Sequence, residues 1–358
     1  MLHFFKSGKS GRNNNNYCYI KMEEKVKAIL YQRYNFNNKK SFIYKENDTI
    51  AYDYLLHKYN ITQEDDKTIL YHILYLDYLK YNKSGNFHLI TSLYNEKKIE
   101  RSLELLLCLS MNLKNRYISK IYILHEFVES KNINDNMSLI SEVIYLLKNT
   151  SSIPFLNIVY IYERPSFQKI FDFCNKNING PVIVSNSDIL YDTTLSKIVN
   201  LKNDHFLSIS RNNKTNVDGN IKWDTIQLPI QDFFLDNIFS QDTWVFHSPL
   251  KYPLKIDINL GEMFSDSYLN YKLSKTNYKC YNLSRDINCF HIQDGDSTSD
   301  VVSRDQELID QKLNIIYEKE NGYKDILVGL KISSIAEFYK NTNNSEFITH
   351  YDYVKEYY

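Results

Sequence analysis

P-V-I-V-S-N-S-D-I-L-Y-D, residues 181–192, is the stretch from which the rest of the chain is read. Val182, Ile183 and Val184 form a β-branched run suited to a strand buried on both faces. The chain then turns polar at once, through Ser185, Asn186, Ser187 and Asp188. An apolar strand ending in an amide and a carboxylate two positions apart puts oxygen ligands at its C-terminal end. Open α/β sheets bind their ligands there, and oxygen ligands suit a divalent cation. The same four residues also suit a plain strand-end turn, in which Asn and Asp bond to local backbone.

Working outward, the chain before this stretch alternates between two periodicities. Phe87 to Leu93 (F-H-L-I-T-S-L), Ile118 to Leu124 and Leu156 to Tyr162 read as strands. Between them, Lys98 to Asn112 is apolar at Ile99, Leu103, Leu106, Leu107 and Leu109, a helical spacing. Met137 to Lys148 is a second helix, and Ser166 to Asn175 a third, capped by Ser166 behind Pro165. Strands separated by helices with short links imply an α/β fold: a mostly parallel, doubly wound sheet with right-handed crossovers. No G-x-G-x-x-G or Walker-type loop follows the first strand, which argues against NAD enzymes and P-loop NTPases.

Downstream, Leu195 to Val199 reads as a short helix and His205 to Ser210 as a strand. Arg211 to Asp224 reads as a polar loop, and Lys279 to Leu283 as a further strand. Helices are expected near Asp305 to Glu318 and Gly329 to Tyr339. The domain reading is a disordered tail over 1–16, an N-terminal helical extension over 17–82, a main domain over 83–299 and a C-terminal helical segment over 300–358. Lys21 to Tyr34 and Lys67 to Tyr81 are the expected helices of the extension.

The 43 basic and 43 acidic residues cancel, so no overall field favours nucleic acid or an anionic membrane. No stretch approaches the roughly 20 apolar residues of a membrane span, and no signal peptide is visible, so a cytoplasmic protein is expected. Tyr, Asn, Ile and Lys are abundant while Gly (9) and Pro (6) are scarce, a bias expected of an A/T-rich genome such as that of a large DNA virus, a protist or a bacterium. In a viral setting the expected location is the host cytoplasm or the virion. Five cysteines (Cys18, Cys108, Cys174, Cys280 and Cys289) show no C-x-x-C spacing and suggest a reducing compartment. Cys280, Cys289 and His291 raise zinc but lack a fourth ligand.

In this order, L-I-T-S-L-Y-N-E, E-R-P-S-F-Q-K-I-F-D-F-C-N, V-I-V-S-N-S-D-I-L-Y-D, L-S-I-S-R, S-Q-D-T-W-V-F, L-G-E-M-F-S-D-S-Y-L-N-Y-K-L and C-F-H resemble GT-A-type glycosyltransferases of a group found in bacteria, protists and large DNA viruses. The resemblance covers roughly Phe87 to Gly295. It implies a GT-A-like fold, a nucleotide-sugar donor (UDP- or GDP-sugar), a glycan or glycosylated acceptor, and Mn²⁺ or Mg²⁺. Asn186 and Asp188 would then be an N-x-D variant of the family's D-x-D motif, with Asp188 on the metal and Asn186 on the metal shell or donor ribose. Oligomeric state is left open.

The resemblance also implies roles for residues that have plainer readings. His291 is either a late metal or diphosphate contact, or a satisfied core histidine beside Phe290 and Ile292. Asp266 is either the base that deprotonates the acceptor in an inverting reaction, or a helix cap. Asp242 either binds acceptor or donor-sugar hydroxyls beside Trp244, or caps a buried aromatic strand. Thr91, Tyr94, Asn95 and Glu96 fall near the nucleotide base and ribose, with Ser187 a further donor-binding residue and Arg164 and Arg211 as base or phosphate contacts. Arg101 either approaches the diphosphate or pairs with Glu104 on its helix. The rival readings are a sugar-1-phosphate nucleotidyltransferase, which should carry a Gly-rich basic loop after the first strand, and a decayed glycan-binding or virion structural protein.

Overall fold

Alternate residues of a strand face opposite sides of its sheet, and Gly180–Ser185 obeys this with apolar residues on both. Val182 and Val184 enter one core and Ile183 the other. The computed structural model describes residues 87–126, 138–150, 155–217, 220–223, 238–292, 327–342 and 345–349, with scattered positions from 55 to 86 and 311 to 320. The expected tail, the helix over 21–34 and most of the segment 300–326 lie outside the described residues.

The first half is β1 (Phe87–Leu93), α1 (Ile99–Lys114), β2 (Ile118–Glu126), α2 (Leu139–Thr150), β3 (Leu156–Ile161), α3 (Phe167–Asn177), β4 (Gly180–Ser185) and β5 (Ile189–Tyr191). A 3₁₀ turn (Thr193–Ile198) leads to β6 (His205–Ser210), β7 (Asn212–Val217), β8 (Asn220–Trp223) and β9 (Gln241–Ser248). Next come α4 (Ser265–Ser274), β10 (Lys279–Tyr281), β11 (Cys289–His291), β12 (Val328–Leu330), α5 (Ile335–Lys340) and β13 (Phe347–Thr349). The expected strands and helices from Phe87 to Ser210 are all present, and the Ser166 hydroxyl caps α3 by accepting from Lys169 N. Two expectations are corrected. The polar run 211–224 is not a loop but holds the β7–β8 ladder, and 329–339 is not one helix but the end of β12 followed by α5.

The main sheet has seven strands in the order β10-β6-β9-β4-β1-β2-β3. Only β9 opposes the rest, pairing antiparallel with both β4 and β6. The fold is α/β with a mostly parallel sheet, as expected. Helices cover both faces, which suits parallel strands without a polar side. Leu89, Ile121, Ile123 and Ile183 pack with Leu103, Leu106 and Ile144 on one side. Ile90, Leu124, Val184 and Trp244 pack with Phe167, Phe171 and Leu269 on the other. Each fully buried aliphatic side chain contributes about 1.5–3 kcal/mol relative to exposure.

Two features of the topology position the site. From β1 the chain builds outward through β2 and β3, then returns to place β4 on the other side of β1. The C-terminal ends of β1 and β4 therefore flank a switch point, where α/β sheets open a crevice. A second sheet, β5-β11-β7-β8, stands beside it, with Ile189 of β5 opposite His291 of β11. Among the described residues no helix is long and apolar enough to cross a membrane.

Candidate active site

The chain leaves β4 at Ser185 and enters β5 at Ile189, so Asn186, Ser187 and Asp188 span the gap between the two sheets. The β5–β11 ladder closes a loop of about a hundred residues and brings His291 to Asp188. Ile292 N donates to Asp188 O at 2.9 Å, and His291 Nε2 lies 3.2 Å from Asp188 Oδ2. A carboxylate only accepts, so the hydrogen of this bond belongs to the imidazole. From α1, Arg101 donates to the same Oδ2 through Nη2, while its Nη1 donates to Glu104 Oε2 and Ile292 O, each at 2.7 Å. Burial by itself would push the Asp188 carboxyl up; His291 and Arg101 override it and hold the group well below the usual carboxylate range. Asp188 Oδ1 is buried and has no partner among the described residues.

The second cluster grows from a bulge in β9. Thr243 stands opposite Ile209 and Gln241 opposite Ser210, leaving Asp242 as an extra residue on its strand. Bulges re-aim side chains and recur beside active sites. Here the bulge lets Asp242 O accept from Asn186 N at 3.2 Å and brings the carboxylate to Asn186 and Arg211. Its Oδ1 accepts from Asn186 Nδ2 and its Oδ2 lies 3.2 Å from Arg211 Nη1. The negative charge of Asp242 is the chief reason the Arg211 guanidinium is held still more firmly protonated.

Asp266 lies in the first turn of α4, its Oδ2 accepting from Gln241 N at 3.1 Å and its Oδ1 from Ser267 N at 2.9 Å. Burial pushes its carboxyl up to about 7, and the charge of Asp242 adds to the rise against these backbone bonds. The bond to Gln241 ties the start of α4 to the strand that carries Asp242.

Across the mouth, Arg164 follows β3 and donates to Leu260 O at 2.9 Å and Gly261 O at 2.7 Å. Gly261 has φ +68°, and a Cβ there would stand 2.9 Å from Arg164 Nη2 and 3.3 Å from Asn186 Oδ1. Only glycine suits both the backbone and the space.

The expected residues thus divide. Asp188 and His291 meet each other; Asn186, Asp242 and Arg211 form one hydrogen-bonded chain beside Asp266; Arg164 reaches Asn186 by way of Gly261. Tyr94 approaches the first cluster: burial raises its hydroxyl and the positive charge of Arg101 opposes the rise. Ser187 is a partly exposed turn residue. The other residues after β1 have local duties. Asn95 Oδ1 accepts from Ser141 Oγ at 2.8 Å and Glu96 Oε1 from Lys98 N at 2.8 Å. Thr91 is buried within β1 between Ser185 and Ile123, its hydroxyl without a partner among the described residues. Of the two readings of Arg101, its pair with Glu104 is made, together with a bond to Asp188 that sequence spacing had no means to reveal. Gly261 and the bulge at Asp242 were likewise missed.

Among the described residues no group of three or more His, Cys, Asp or Glu side chains converges as a metal cage, and Cys280 and Cys289 are buried free thiols. The test of a cation therefore falls on Asp188 and His291. The unpartnered Oδ1 of the ionised Asp188 carboxylate is an oxygen donor acceptable to Mn²⁺; His291 Nε2 could join it only by giving up the hydrogen of its bond to Oδ2, and the remaining positions are left to oxygens of a bound ligand.

No protein-family model and no curated protein matches the chain. Solved structures with a similar course of chain include a mannosyltransferase from Pyrobaculum calidifontis in complex with GDP-Man and Mn²⁺, at 14% identity and TM-score 0.41 over 75% of each chain. GalNAc-T7 with UDP, GalNAc and Mn²⁺ is 14% identical, with TM-score 0.36, over 76% of this chain and 52% of its own. A 4-diphosphocytidyl-2C-methyl-D-erythritol synthase from Anaerococcus prevotii is 13% identical, with TM-score 0.33, over 63% of this chain and 99% of its own. Likeness at this level says nothing of what the present chain acts on.

Proposed function

We propose that the chain is a glycosyltransferase of the GT-A type that moves a sugar from a UDP- or GDP-sugar to a hydroxyl of a glycan acceptor with the help of Mn²⁺ or Mg²⁺. The observation that carries this reading is a pair of carboxylates in opposed states beside the switch point: Asp188 held ionised, and Asp266 pushed up to about 7. Environments that drive two acids apart mark a division of labour between electrostatics and proton transfer.

A divalent cation bound at Asp188 and His291 would stabilise the charge that develops on the departing nucleoside diphosphate. The protein's own groups do the rest. Asn186, Asp242 and Arg211 form a fixed hydrogen-bonding edge for the sugar hydroxyls, rigid because each member holds the next. Arg164 and Gly261 border that edge, and Tyr94 and Arg101 border the diphosphate side. Asp266 takes the proton of the acceptor hydroxyl as its oxygen attacks the anomeric carbon; the bond from that carbon to the diphosphate oxygen breaks, and its electron pair leaves with the nucleoside diphosphate. A carboxyl with an ionisation near 7 is well matched to accept a proton at neutral pH. Inversion at the anomeric carbon follows from this direct displacement.

Thermal unfolding with a panel of sugar nucleotides, with and without Mn²⁺, tests the reading. A ligand that binds only the folded state stabilises it by mass action, by about 2.7 kcal/mol at a hundred times its dissociation constant. The expected result is a rise in Tm with a UDP- or GDP-sugar that is larger when Mn²⁺ is present. No rise with any sugar nucleotide at millimolar concentration contradicts it.

A further inference from the structure

We infer that Arg101 is a tethered counter-cation on Asp188 that makes divalent-cation binding conditional on a diphosphate; this rests on the metal and donor site proposed above. Arg101 is no surface arm lying on the carboxylate by chance. Three acceptors from separate parts of the chain hold its guanidinium: Glu104 on its own helix, Asp188 after β4 and the carbonyl of Ile292 after β11. Its side chain is only 14% exposed. Ile292 itself bonds back to Asp188 through its N–H, so the clamp is closed on both sides.

The clamp has an electrostatic consequence. Asp188 Oδ2 is shared by a guanidinium and an imidazole, and Oδ1 is the carboxylate oxygen that has no partner among the described residues. Glu104 offsets one positive charge, yet a divalent cation arriving alone would still sit beside a fixed guanidinium, with one carboxylate divided between them. Like charges at such separations oppose binding in a partly buried site. A nucleoside diphosphate reverses the sign of the neighbourhood. It supplies oxygen ligands to the cation and an anionic partner to Arg101, whose planar fork suits phosphate. Cation and diphosphate therefore bind with positive coupling, and by reciprocity each strengthens the other by the same factor.

The experiment is Mn²⁺ binding by loss of the free-ion electron paramagnetic resonance signal, with and without UDP or GDP, for the wild-type chain, Arg101→Met and Arg101→Lys. Wild type is expected to hold Mn²⁺ weakly alone and about tenfold or more tightly with the nucleoside diphosphate. Arg101→Met, which removes the competing charge, is expected to bind Mn²⁺ more tightly than wild type in the absence of nucleotide and to lose most of the coupling. Arg101→Lys keeps the charge and should stay near wild type. A purely structural role for Arg101 predicts the opposite, weaker Mn²⁺ binding in Arg101→Met. That result, or equal affinity in all three proteins while nucleotide still promotes binding, overturns the inference and leaves the proposed function standing. Absence of Mn²⁺ binding in every protein, with either nucleotide, defeats the metal site itself and the inference with it. Should Arg101→Met yield no folded protein, the wild-type chain decides alone: Mn²⁺ affinity unchanged by UDP and GDP overturns the proposal.

Discussion

Asp188 and Asp266 both act electrostatically on Arg211 and are held in opposite states. Both are drawn out of water, which favours the neutral acid. Asp188 meets a guanidinium and an imidazole and is held well below the usual range; Asp266 meets two backbone N–H groups and the charge of Asp242, and is pushed up to about 7. The difference lies in the partners rather than in the depth of burial. One carboxylate is kept as a permanent anion, the other as a group that exchanges its proton near neutrality.

The hardest blow to this contrast is Asp188→Asn, which removes the anion and keeps the shape. Loss of several kcal/mol of charge stabilisation corresponds to a fall in turnover of about 10³-fold or more, measured as sugar transfer at saturating donor. Asp266→Asn should lower kcat by about 10²-fold and abolish the rise in rate with pH that wild type shows around 7. A profile unchanged in Asp266→Asn would give the base role to another group.

The same contrast is visible in stability. Asp188 has a depressed folded-state value, so its contribution is present above the ordinary carboxylate range and is lost as pH falls through the folded value. Asp266 has a raised value, so its contribution is present below about 4 and is lost as pH climbs towards about 7. Tm measured from pH 4 to 8 should therefore decline less towards pH 8 in Asp266→Asn than in wild type.

Smaller effects sharpen the geometry. Gly261→Ala places a side chain at φ +68° against Arg164 and Asn186, and should destabilise by more than about 1 kcal/mol while raising the donor KM. Ser166→Ala removes the α3 cap, and should cost about 1 kcal/mol in denaturant titration.

Much of the fold was legible because β1 to β4 and α1 to α3 carry clean periodicities and Ser166 sits where a cap belongs. The strands β7 and β8 were not, since N-N-K-T-N-V offers no apolar alternation. Their pairing comes from the β-ladder to each other and to β11. In β12 three residues, V-G-L, are too few to show a period. The candidate site was legible as residue types at strand ends. Its wiring was not. Spacing reveals Glu104 three residues from Arg101, but not Asp188 eighty-seven residues away, which only the folded chain brings to it. Nor does a one-residue bulge announce itself in S-Q-D-T-W-V-F.

The most direct test of the account is release of nucleoside diphosphate from UDP- and GDP-sugars by the wild-type chain in Mn²⁺, after chelation with EDTA, and after Mn²⁺ is restored. The account predicts release from at least one donor, loss on chelation and recovery on adding the ion back. No release from any donor, or release that EDTA leaves unchanged, would contradict it.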